Sequence, residues 1–165
     1  MANIKTEYAA SSALTMTSLN TLASSSGFTA GAESTAVDNT SNKYLDFLLA
    51  GNIITGTTPV VSTNILVYVI GMLEDSTWPD VFDGTDSAET ITSSGVRDGF
   101  AKLAASIVVS ATSNVTYPFG PVSVAQLFGG RLPKKFVVFV THNGTAALNA
   151  SAGTLWITPV YATVA

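Results

Sequence analysis

The sequence predicts an all-β sandwich, on three observations. Short segments rich in β-branched and aromatic residues recur along the chain, and no helical period is sustained between them. Gly and Pro punctuate the gaps, at Gly56, Pro59, Pro79, Gly84, Gly95, Pro118, Gly120, Pro121, Gly129 and Gly130. No repeat of solenoid period replaces this pattern, and 165 residues suffice for one domain with a real core.

Residues 9–35 are a tract of Ser, Thr, Ala, Leu and Gly. Leu14 and Met16 alternate as in a short strand, and SSSG follows at 24–27. The tract reads either as a disordered tail or as an arm that orders on a neighbouring subunit by adding a strand to an open edge. The expected division is therefore an N-terminal arm over 1–35 and a sandwich over 36–165. In the arm reading Tyr8, Leu14, Met16, Leu19 and Leu22 are the anchors that contact the partner.

Strand character follows at 43–50, running into 52–55, and at 64–72 (NILVYVIGM), a run suited to the centre of a sheet. Residues 102–110 begin like a helix, but Ile107, Val108 and Val109 favour a strand. Residues 134–141 (KKFVVFVT) and 154–163 (TLWITPVYAT) are the clearest pair of strands. Pro159 inside the last one predicts an edge position or a bulge. Residues 122–128 (VSVAQLF) read as a short helix stopped by Gly129 and Gly130.

Composition limits the chemistry. Charged residues make up 11% of the chain and hydrophobic ones 47%, where an ordinary domain is about 25% charged. There is no cysteine, so disulfides and thiolate chemistry are excluded, and His142 is the single histidine. Such a surface is poorly equipped for proton transfer or metal chemistry and well suited to burial against other protein. The expectation is a structural building block with no enzymatic activity and no cofactor. The formal net charge is −4 with scattered cations, which predicts no nucleic-acid partner. The start of the chain lacks a cationic stretch followed by an apolar one, and 65–72 is too short to span a bilayer, so cytoplasmic synthesis and no membrane partner are expected.

Three clusters merit weighing for chemistry. Residues 74–89 carry six of the eleven carboxylates, with Asp80, Asp83, Asp86 and Glu89 three apart. The segment reads as a solvated acidic loop facing a basic partner, with calcium as the alternative occupant, although the spacing is not that of an EF-hand. His142, beside Asn143 and Gly144, reads as a turn residue whose replacement by alanine costs at most about 1 kcal/mol. No nucleophile turn of the Gly-x-Ser-x-Gly kind accompanies it. Arg131, Lys134 and Lys135 hold three of the seven cations and read as a contact patch for an acidic neighbour, such as another copy's acidic segment. Trp78, Tyr117, Phe119 and Trp156 would make a sugar-stacking platform if exposed together, but Trp156 and Phe119 are expected in the core. The Asn-x-Ser/Thr triplets at Asn39, Asn114, Asn143 and Asn149 are expected by chance in so Ser/Thr-rich a chain.

The phrase ESTAVDNTSNKYLDFLLAG, followed by ITGTTP, NILVYVIG, YPFGPVSVAQLFGGRLPKKFVVFVTHNG and TPVYATV, resembles small virion proteins of tailed bacteriophages. The resemblance is to decoration, or cement, proteins with a single jelly roll, and it runs from Glu33 to Val164. It implies an antiparallel β-sandwich of jelly-roll type, no catalysis, and clustering on the capsid exterior as a homodimer or homotrimer. The implied partners are the major capsid protein and further copies of this chain. Proteins of this shape also serve in tails and spikes, so a carbohydrate-binding module is the alternative.

Overall fold

The computed structural model describes residues 3–164. Eleven strands build two antiparallel sheets, labelled in chain order: β1 (Ile4–Tyr8), β2 (Ser12–Ala13), β3 (Ala30–Glu33), β4 (Val37–Asp38), β5 (Asp46–Thr55), β6 (Thr63–Gly71), β7 (Ser87–Thr90), β8 (Lys102–Val109), β9 (Thr116–Ser123), β10 (Lys135–His142) and β11 (Leu148–Val164). One sheet has the order β1-β11-β5-β9, with β2 also on β11; the other has β7-β3-β10-β6-β8, with β4 also on β10. The all-β sandwich expected from the sequence is therefore the fold. The pairs β3·β10, β5·β9 and β6·β8 are nested in sequence and alternate between the sheets.

Between the sheets lies the main core. β5 alternates strictly in burial, with Phe47, Leu49 and Ile53 inside beside Leu155 of β11, opposite Val67, Val69, Phe136, Val138 and Val140 of the other sheet. The bulge in β11 rests on Gly153, at φ +120°, where a Cβ would lie 1.9 Å from the Asn52 carbonyl oxygen. Only glycine fits there.

β10 does not alternate, because it is buried on both faces. Phe136, Val138 and Val140 face the main core, while Val137 and Phe139 join Tyr68, Ile70, Phe82 and Ile91 in a second cluster. Trp78, from the acidic segment, and Phe100, from the helix α1 (Ser94–Phe100), pack on that second cluster. Ser93 caps α1 through its Oγ, which accepts the Val96 N–H. The second helix, α2 (Val124–Leu127), matches the short helix read at 122–128, and Ser123 caps it. Residues 102–109 are strand throughout.

The arm expected over 1–35 is corrected. Met16, Leu19 and Leu22 are buried in this chain's own main core and Leu14 packs against it, so none of the four is free for a partner. The segment is stitched in by Leu14 N–H to Leu155 O, Thr21 N–H to Asn149 O and Ser25 N–H to His142 O. β1 and β2 keep an arm's character: their residues are all exposed, and both pair with β11 of the same chain. Pro159 is also reassigned. β11 lies between β1 and β5, but Pro159 falls where β1 has ended and β2 has not begun, with only its carbonyl engaged, by Ala9 N–H at 2.9 Å. The missing N–H thus faces a local gap in the ladder.

Candidate functional surface

The sequence-derived candidates separate into buried and exposed groups. His142 closes β10 and is 1% exposed, which corrects its reading as a turn residue. Its Nε2 lies 2.9 Å from the Leu22 carbonyl oxygen, and Gly144 N–H donates to Nδ1 at 3.2 Å. That set suits a neutral imidazole with the proton on Nε2. Burial, opposed by the bond to Leu22, pushes its pKa down.

The acidic segment is no free loop. Asp80 accepts from Thr92 N–H and Oγ1, and Asp83 from Thr85 N–H. Asp86 accepts from the N–H and hydroxyl groups of both Thr17 and Ser18, at 2.6–3.0 Å. Burial works against the Asp86 charge, but these four bonds outweigh it and hold the carboxyl below its ordinary pKa. The carboxylates thus diverge to separate partners, and no group of three metal-ligating side chains gathers among the described residues. Beneath the segment lies Glu33, fully buried: Oε1 accepts Gly84 N–H at 2.8 Å, while Oε2 has no hydrogen-bond partner. Burial pushes its pKa up to about 7; the Gly84 bond opposes this, and Asp83 and Glu89 add to it.

Lys134 and Lys135 line an open cleft of about 560 Å³ with Asn39, Thr40, Lys43, Met72 and Asp75. Lys134 pairs with Asp75, and Lys135 with its cross-strand neighbour Asp38 at 2.9 Å. The acidic complement expected from another copy is therefore supplied by the chain itself. Asp38 is held near pKa 2, chiefly by the Thr40 hydroxyl and then by Lys135. The loop carrying Lys43 is clamped by Asn39, whose amide bonds both the N–H and the C=O of Tyr44. Arg131 is exposed but does not line the cleft.

The four aromatic residues do not form a platform. Trp78 packs on the second cluster, Phe119 and Tyr117 on the main core, and Trp156 lies on the opposite side of its strand from the core residues Leu155 and Ile157, 36% exposed. The core placement expected for Trp156 is thereby corrected. Trp156 instead belongs to the outer face of the first sheet. The register puts Ile4, Tyr8, Leu48, Ala50, Trp156, Val160 and Val164 on that face, with Ile4, Tyr8 and Val164 more than 60% exposed. Asp46, at its end, has its Oδ1 taken by the Phe47 and Ala125 N–H groups. Sequence reading missed this face, although the alternation of Ile4-Lys5-Thr6-Glu7-Tyr8 signals a strand with one apolar side.

No protein-family model, curated protein or solved structure matches the chain.

Proposed function

We propose that this chain is a structural virion protein that decorates the outside of a tailed-phage capsid and cements neighbouring capsomers, without enzymatic activity. The observation that carries the reading is the outer face of the first sheet, where Ile4, Tyr8, Trp156 and Val164 stand exposed around an almost uncharged surface. Contiguous apolar surface on a sheet face is the kind of surface that marks a protein–protein contact. The nested pairs β3·β10, β5·β9 and β6·β8 support the jelly-roll form of the sandwich, and β7, which pairs with β3, is its departure from that form. The phrases resembling decoration proteins supply the particle.

In this role the protein acts through linkage. A chain bound across a junction of the mature shell, and not to the separated subunits, stabilises the shell by mass action. Many copies on one lattice, with contacts among themselves, multiply the effect through effective concentration.

The test is reconstitution. Purified chain is added to particles lacking it, and the particles are imaged by electron cryo-microscopy. Density is expected on the capsid exterior, with Trp156→Lys lowering occupancy while the circular dichroism spectrum is unchanged. Density at the tail alone, or full occupancy by the Trp156→Lys chain, overturns the reading.

A further inference from the structure

β1 is the edge of its sheet: one side pairs with β11, and among the described residues nothing pairs with the other. In an antiparallel ladder each residue points its N–H and C=O to the same side, and the side alternates. Ala9 N–H reaches the Pro159 carbonyl at 2.9 Å, so Ala9 points toward β11. By alternation Lys5 and Glu7 also point toward β11, and Ile4, Thr6 and Tyr8 present their N–H and C=O groups outward. An edge with open donors and acceptors is a template for another strand.

We propose that this edge pairs with the β1 edge of a second copy, antiparallel and centred on Thr6, so that one sheet runs through a twofold dimer. In that register Thr6 faces Thr6 of the other copy and Ile4 faces Tyr8. All outward-pointing groups of β1 are then bonded, which makes six main-chain hydrogen bonds by the alternation above. Lys5 of each copy faces Glu7 of the other in the pairs where side chains approach most closely. Lys5 has no ion-pair partner of its own among the described residues.

Charge also selects against the neighbouring registers. Centring on Lys5 sets lysine against lysine, and centring on Glu7 sets glutamate against glutamate; each also loses bonds from the outward groups. The strand IKTEY is thus complementary to itself in one register. The pairing places Ile4 of one copy beside Tyr8 of the other on the outer face, so the apolar surfaces of the two sheets become continuous. This inference deepens the self-association within the proposed function and does not depend on the capsid.

Sedimentation of the purified full chain, with no particle present, tests it. The expected result is a monomer–dimer equilibrium in the micromolar range. Thr6→Pro removes an outward N–H that the chain's own ladder does not use, and is expected to yield a monomer with an unchanged circular dichroism spectrum. Lys5→Glu and Glu7→Lys each set like charges opposite and are expected to weaken dimerisation about tenfold or more. Mixing those two variants restores opposite charges and is expected to recover a heterodimer. A chain that stays monomeric, a dimer that survives Thr6→Pro, or a mixture that recovers nothing overturns the proposal. Capsid binding by a strictly monomeric chain would refute this pairing while leaving the decoration reading intact.

Discussion

His142 Nε2 lies 2.9 Å from the Leu22 carbonyl oxygen, which also accepts Leu148 N–H at 3.0 Å. One carbonyl thus ties the N-terminal segment to the end of β10 and the start of β11. His142→Ala leaves a cavity and removes a buried bond, so the expected loss is about 2–4 kcal/mol. Urea denaturation measures it. A loss under about 1 kcal/mol would return His142 to the status of a turn residue.

The same histidine gives stability an acid limb. Its pKa is lowered by folding, so below about pH 6.5 the unfolded chain binds a proton that the folded chain refuses. Stability from this group is full above that pH and is lost as pH falls. His142→Gln, whose amide can both donate to Leu22 and accept from Gly144, is expected to flatten the limb as pH falls below about 6.5. An unchanged slope in that window would count against the assignment.

Glu33 acts in the opposite sense. Folding raises its pKa from 4.5 to about 7, so the native state holds a proton that the unfolded state releases across that range. Its contribution is full below pH 4.5 and is lost as pH rises to 7. Glu33→Gln is therefore expected to match the parent near pH 4 and exceed it above pH 7, by on the order of 3 kcal/mol. Equal stability of the two proteins at pH 8 would remove the buried charge as a cause.

Leu19 and Ile4 discriminate core from surface within residues 1–35. Leu19→Ala is expected to cost about 2–4 kcal/mol and Ile4→Ala less than about 0.5 kcal/mol. Deleting residues 1–11 leaves a cooperative thermal transition, whereas deleting 1–26 abolishes it. A cooperative transition in the longer deletion would reinstate the arm.

Asp86 is the clasp between the acidic segment and residues 17–18. Asp86→Ala strips four hydrogen bonds at once and is expected to cost about 1–3 kcal/mol. By contrast Lys134→Ala and Lys135→Ala break exposed ion pairs and are expected to cost less than about 1 kcal/mol each. Comparing the midpoints of the three variants in one denaturant series decides it.

Sequence made the sheets legible where side chains face one environment. The apolar runs in β5, β6 and β10 announce themselves, and α2 is marked by its following glycines. β9 was hidden by Pro118 and Pro121, which it tolerates as an edge strand. The tract holding Met16, Leu19 and Leu22 was misread because its anchors are spaced by Ser and Thr, whose bonds to distant strands no local pattern reveals. Asp86 shows the same limit: its partners lie 68 and 69 positions away. No local pattern around Glu33 signals that Gly84 and the acidic segment cover it. The apolar outer face depends on register, which brings Ile4 beside Val164 only after β11 has turned back.

The double-sided burial of β10 carries a hazard during synthesis and refolding. Phe136 to Thr141 is an uncharged window rich in β-branched and aromatic side chains and free of proline, the composition of a segment that aggregates when exposed. Its partners β3 and β6 are distant in sequence, and such pairings close slowly. Until the acidic segment and α1 settle over Val137 and Phe139, the strand stands open to other chains. Lys134 and Lys135, immediately before it, occupy the place where charged gatekeepers suppress misassembly. Substitutions there that leave the finished fold untouched are expected to lower its soluble yield.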